Sequence, residues 1–320
     1  MRKARRWLVP RGLRRCACAT LLASACLSSA ADYKITADRE VPLFDGPFSL
    51  VDIRLRQALA YDLIPPAFPQ ALEAKPAEDR WEHLGFGCLP SFHRFTIDDE
   101  DGTDFCLPLA IGTVLSKEKN ISLRGELVYN YAKADHSNDA VQSLEAAVAM
   151  PMRALTHHPA DSSVREVRLN LVPSLALGTS FQRGWAETGT NTLHLGFAGN
   201  VEIEMQKFSL TYGASLAHFQ SLVSEWSRFD TFIAVQETVL TQAFQFSYGV
   251  HKNLALEVFL VDSRYLWGNS PVWWHDTLGF GLSYRLTEVN RNLHLRLSPE
   301  LQIGEDFHSF GLRFGLGMKF

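Results

Sequence analysis

The chain has 320 residues, 46% of them hydrophobic and 21% charged, with a formal net charge of −4. An acidic balance argues against nucleic acid as a partner, because phosphate binding needs clustered basic side chains. Beyond the N-terminal leader no segment offers the ~18 consecutive apolar residues of a spanning helix.

The N-terminus reads as a cleaved export signal over residues 1–31. Arg2, Lys3, Arg5, Arg6, Arg11, Arg14 and Arg15 form a basic region, Cys16 to Leu27 a short apolar one, and Ser28-Ser29-Ala30-Ala31 a small-residue cleavage site. A twin-arginine route from Arg5-Arg6 and a lipoprotein site at Cys26 fit these residues less well. Cleavage removes seven basic residues and no acid, so the net charge goes from −4 to −11.

Residues 32–106 lack clean periodicity and are expected to form an N-terminal extension or plug segment. Pro65, Pro66, Pro69 and Pro76 break any long element, and Ser49 to Leu63 suits a helix or a strand. Cys88 and Cys106 are the two cysteines left after cleavage, and an exported protein favours their oxidation. A disulfide between them would close a loop around Asp98-Asp99-Glu100-Asp101-Gly102-Thr103-Asp104 and contribute about 3 kcal/mol. That acidic run fails as a calcium loop, since Ile97 and Pro108 fall where the first and twelfth ligands belong. His157-His158 lacks a third metal ligand. No metal or other cofactor is expected.

From residue 107 onward, apolar residues recur on one parity. Examples are Ile121, Leu123 and Leu127; Leu193, Leu195 and Phe197; Phe244, Phe246 and Tyr248; and Leu278, Phe280 and Leu282. Segments of about ten residues with this alternation, separated by turn residues, are the barrel signature. A mean hydropathy of −0.06 fits, since only alternate residues would face lipid. The expected fold is all-β: a closed antiparallel transmembrane β-barrel of about 12 strands over residues 107–320, preceded by a short irregular segment. The strands should begin near residues 107, 121, 141, 167, 192, 207, 229, 243, 253, 276, 293 and 309. With the C-terminus in the periplasm, 155–166 and 264–275 become outer loops. His251-Lys252, 182–191, 220–228 and Glu288 to Asn292 become inner turns. Trp226, Trp267, Trp273 and Trp274 fall at strand ends or in loops, where interfacial aromatics belong.

The last strand carries the most specific pattern. Phe310, Leu312, Phe314, Leu316, Met318 and Phe320 share one face; Gly311, Arg313, Gly315, Gly317 and Lys319 share the other. It resembles the closing strand of Gram-negative outer-membrane barrels, whose assembly signal would here be Arg313, Gly315, Met318 and Phe320. In plan the chain is similar to autotransporter-type barrel domains. Only about 75 residues separate the signal from the expected first strand, too few for a β-helical passenger of many stacked repeats. The resemblance is therefore to the solitary type, with a structural or narrow-channel role in the outer membrane. It implies contact with outer-membrane lipid and lipopolysaccharide, and handling by periplasmic chaperones and the barrel-assembly machinery.

The inward parity carries Arg124, Glu126, Arg168, Glu202, Glu204, Glu257, Arg285, Arg296 and Glu300, with Arg313 and Lys319 in the last strand. Six basic and five acidic residues point to a cross-linked, largely filled lumen rather than a ring of one sign. A diffusion porin for small solutes is one alternative. A lipid-modifying hydrolase is another, and His136-Ser137-Asn138-Asp139 has the residue types for it. That run sits in an expected turn, however, where adjacent side chains point apart. No enzymatic activity is expected.

Overall fold

The computed structural model describes residues 84–97, 100–116, 121–135, 140–159, 163–182, 188–205, 207–222, 231–232, 236–251, 254–268, 274–286, 293–304 and 307–319. The signal, residues 32–83, the run His136 to Asp139, Trp226, Trp273 and Phe320 lie outside them.

Fifteen strand segments are described. In chain order they are β1 (Leu84–Cys88), β2 (Ser91–Ile97), β3 (Glu100–Ser116), β4 (Ile121–Ala134), β5 (Val141–Ala149), β6 (Met152–His157), β7 (Val164–Gln182) and β8 (Thr188–Met205). Then follow β9 (Phe208–Ser221), β10 (Thr231–Phe232), β11 (Gln236–His251), β12 (Leu254–Gly268), β13 (Trp274–Leu286), β14 (Leu293–Gly304) and β15 (Phe307–Lys319). β1 and β2 share one register against both β3 and β15, so they are a single stave interrupted at Leu89-Pro90. β5 and β6 are likewise one stave against β7, interrupted at Met150-Pro151. Proline cannot donate to a ladder, but the carbonyls still pair: Phe314 N–H donates to Pro90 O and Ser122 N–H to Pro151 O, both at 2.8 Å.

With β10 reduced to a two-residue parallel bridge onto β8, twelve staves remain. β15 pairs antiparallel with β1 and β2, which closes the cylinder and leaves no edge between the first and last strands. The expected twelve-stranded closed barrel is therefore what the chain forms.

Two expectations about the strands change. Among the described residues of 229–236 are the β10 bridge and the first residue of β11, and β11 pairs directly with β9, so the strand expected near 229 has no place between them. Conversely, the stave Leu84–Cys88 plus Ser91–Ile97 and the start of β3 lie within residues 32–106, ahead of the expected barrel start at 107. One strand lost and one gained keep the count at twelve but reverse every strand between them. The connection after β6 therefore falls at the end of the barrel that carries the C-terminus. The connections after β7, β9 and β12 fall at the opposite, distal end. Residues 155–166 and 264–275 thus lie at opposite ends of the barrel.

Burial follows the pleat. β11 alternates inward Glu237, Val239, Thr241, Ala243, Gln245 and Ser247 with outward Thr238, Leu240, Gln242, Phe244 and Phe246. Large apolar side chains cover the outside; Phe197, Phe280 and Phe310 are each more than half exposed. In water such a surface would be a liability; against hydrocarbon it is the expected band. β3, β7, β8 and β11 run to 17, 19, 18 and 16 residues. That exceeds the ~9–11 residues needed to span a bilayer, so these hairpins project beyond it. Inside, a buried apolar cluster that includes Val172, Phe219, Val239, Phe259, Val261 and Tyr265 shares the lumen with the charged groups.

Candidate functional site

The lumen is the candidate site, and its walls differ. On β11 to β15 and β1 to β3 they carry long, cross-linked side chains. His93 Nδ1 faces Asp104 Oδ1 at 2.9 Å, and its Nε2 faces Glu300 Oε2 at 3.3 Å. Arg313 meets the same carboxylate through Nη2 at 2.8 Å and Nε at 2.7 Å. This cluster ties β2, β3, β14 and β15 together across the closing seam.

Next to it, Glu257 accepts from Gln245 Nε2 at 3.1 Å and pairs with Arg296 Nη2 at 2.6 Å. Ser283 Oγ donates to it as well. The Arg296 guanidinium stands over the Phe259 ring, 5.2 Å from its centre. Glu257, Glu300, Gln245 and Gln302 are each 2% exposed or less. Burying charge on this scale is costly unless it is paired and hydrogen-bonded, and the pairing accounts for how these strands accept it.

Cross-strand glycines make room for the large groups. Phe95 lies opposite Gly102, His93 opposite Gly311, Glu257 opposite Gly281 and Phe259 opposite Gly279. A Cβ on Gly279 would sit 2.6 Å from Phe259 Cε1 and nearer still to Cζ. Gly315 is confined by Leu89 and Arg296, 2.8 and 2.9 Å from where its Cβ would stand.

On β4 to β9 the inward residues are mostly small. Ala147, Ala149, Ala176, Gly196, Ala198 and Ala217 line a small cavity. Arg124 and Glu126, an ion pair, share that cavity with Glu145, His194 and Ser215. Nearer the terminal end, Arg168 gathers three carboxylates: Glu166 at 2.6 Å, Glu202 at 3.0 Å and Glu204 at 2.5 Å. Asn170 joins them by donating to Glu202 Oε1 at 2.8 Å.

All nine residues named for the lumen from sequence, apart from Arg285, thus have described side chains on the inner wall. Arg285 is on β13, paired with His294 across to β14. Of the terminal signal, Arg313 and Gly315 face inward, Met318 pairs with Phe86 and Leu293 across the seam, and Phe320 is outside the described residues.

The balance of charge differs from the near-equality read from sequence. The described lumen adds Asp104, Glu145, Glu166 and Glu237, and on the basic side Arg153. Nine carboxylates (Asp104, Glu126, Glu145, Glu166, Glu202, Glu204, Glu237, Glu257, Glu300) then face five guanidiniums (Arg124, Arg153, Arg168, Arg296, Arg313) among the described luminal side chains. His93, His194 and His275 were also unread; each is an inward residue on a strand whose apolar alternation points outward.

The disulfide is not formed: both cysteines are free. Register gives the reason. Cys88 lies opposite Leu109 on the outward parity and Cys106 opposite Ser91 on the inward one. Two side chains on opposite faces of one sheet cannot be bridged without moving backbone.

Outside the barrel, at the distal edge of the apolar band, Asp262 and Asp276 sit directly opposite each other on β12 and β13. Arg264 is 2.6 Å from Asp262 and 3.9 Å from Asp276. Burial, then the neighbouring Asp262, pushes Asp276 up to about 6, with Arg264 opposing. Arg264 also stands over Trp274, 5.4 Å from the ring centre, and Trp267 is exposed nearby. An aromatic and charged fringe of this kind suits the headgroup level.

No family model matches this chain, and no curated protein matches it. Solved structures do. The translocator domain of the autotransporter NalP from Neisseria meningitidis is 12% identical, with a TM-score of 0.53 over 75% of this chain and 89% of that one. The β-domain of the Bordetella autotransporter BrkA is 15% identical, with a TM-score of 0.55 over 74% of this chain and all of that one. An outer-membrane channel from Pseudomonas putida F1 is 11% identical, with a TM-score of 0.55 over 79% and 100%. At such identities the likeness is one of fold. Together with the apolar exterior, polar interior and closed seam, it makes this chain an outer-membrane β-barrel that resembles the autotransporter barrel domain.

Proposed function

We propose that this barrel serves as a narrow passage through the outer membrane, with roughly half of its lumen filled by its own side chains. The observation that carries this reading is the near-complete burial of Glu257, Glu300, Gln245 and Gln302 on one wall, set against the small-residue wall of β4 to β9. A wide diffusion porin needs a solvated lumen all round, whereas here the long side chains of β11 to β15 meet partners across several strands. On this reading residues 1–31 direct export and periplasmic chaperones escort the chain. The barrel-assembly machinery reads Arg313, Gly315, Met318 and Phe320, and the Trp267–Trp274 fringe meets outer-leaflet lipid and lipopolysaccharide.

The test is reconstitution into planar bilayers and liposomes. Small unitary current steps are expected, with pentose-sized sugars excluded from the liposomes. Porin-sized steps with sugar entry would overturn the reading, and so would a correctly folded barrel that passes no current.

A further inference from the structure

We infer that the luminal cavity on β4 to β9 is a transit site for small cations, an inference that rests on the narrow-passage reading. Three observations converge. The cavity is bordered by small side chains, so it is where the wall leaves room. Its charges are lopsided: Glu126 and Glu145 border it, against Arg124. Two negative groups facing one positive one leave an excess of one negative charge beside a low-dielectric wall, where fields are concentrated rather than screened.

The third observation is independent of charge. Ser215 Oγ borders this cavity, its residue is 5% exposed, and the oxygen has no hydrogen-bond partner. A buried hydroxyl without a partner costs about 1–3 kcal/mol, which a passing ion or its water would offset by occupying one lone pair. A hydroxyl with a carboxylate on the same wall is an oxygen-rich surface of the kind that replaces part of a hard cation's hydration shell. On the long-side-chain wall Glu257 and Glu300 are held by Arg296 and Arg313, and the large side chains leave less room.

The experiment measures reversal potentials across planar bilayers under a KCl gradient, with the full chain and two variants. K⁺ is expected to be preferred over Cl⁻ by about tenfold, the low end of what focused fields produce. Glu145→Gln should lower that preference severalfold. Ser215→Leu should reduce the step itself, because it fills the cavity. Heat-modifiable migration on gels confirms that each variant is folded, and if Ser215→Leu fails to fold, the Glu145→Gln arm decides alone. Steps that show no cation preference, or a preference indifferent to Glu145→Gln, would overturn this inference and leave the narrow passage standing. A folded barrel without current would remove both.

Discussion

Replacing Gly311 with alanine probes the closing seam at its tightest point. Gly311 lies directly opposite His93, and an added Cβ would fall 2.6 Å from Nε2 and closer still to Cγ and Cδ2. Such atoms settle at about 3.5 Å, so, with Cδ2 the nearest, the imidazole must retreat by more than about 1.5 Å or leave its rotamer. Its bonds to Asp104 and Glu300 stand at 2.9 and 3.3 Å and cannot both survive that movement. Breaking one partner out of a buried ionic cluster costs about 3–5 kcal/mol. Arg313 still neutralises Glu300, which places the expected loss near 3 kcal/mol. Urea unfolding from liposomes, followed by tryptophan fluorescence, measures it. The decisive comparison is a double-mutant cycle. With His93→Ala already in place the clash is gone, and Gly311→Ala should be neutral or stabilising by about 0.5 kcal/mol, as for any strand glycine. If Gly311→Ala costs the same in both backgrounds, the imidazole does not lie over Gly311 and the argument for the seam fails.

Three further outcomes are expected. Arg168→Gln leaves Glu166, Glu202 and Glu204 facing one another and should cost about 3–5 kcal/mol in the same unfolding assay, with Glu202→Gln added second restoring part of it. Phe280→Arg places a charge on the lipid face of β13 and should cost about 2–4 kcal/mol if that site lies at mid-membrane; a loss below about 1 kcal/mol would mean it does not face hydrocarbon. Asp276→Asn should stabilise the barrel at pH 7 to 8 and have little effect at pH 4. The folded carboxyl, at about 6, titrates above its ordinary value of 3.8. The folded state therefore holds the proton more tightly, and stability falls as pH rises through that window. An equal effect of Asp276→Asn at both pH values would contradict the pairing with Asp262.

The outward face of this barrel was legible because lipid demands apolar residues at every second position, and Leu278 to Tyr284 satisfies that demand throughout, Leu193 to Met205 everywhere but at Gly199. The lumen makes no such demand, since water, ions or partners can satisfy what points inward. Glu145 and Glu237 sit on stretches where the outward residues are partly polar, Gln142 and Gln236 among them, so alternation faded and the acids beside them went uncounted. The first stave escaped for a related reason. Gly85, Gly87, Leu89 and Pro90 carry little polarity contrast, and Pro90 interrupts the ladder, while the seam that recruits this segment is a contact with the far end of the chain. The strand expected near 229 is excluded by the direct pairing of β11 with β9, since Gln236 already lies opposite Gln220. Cys88 and Cys106 are close enough in sequence to invite a bridge, and only the register places them on opposite faces.

The most direct test of the account is an accessibility scan along β9. Single cysteines at 210–217, with Cys88 and Cys106 changed to serine, would carry nitroxide labels in reconstituted vesicles. High oxygen collision rates are expected at positions 210, 212, 214 and 216, where Leu210, Tyr212, Ala214 and Leu216 hold the outward parity. Low rates are expected at positions 211, 213, 215 and 217. A profile that is flat, or that repeats every three to four residues, would contradict a closed barrel with lipid on one face of every strand and a charged lumen on the other.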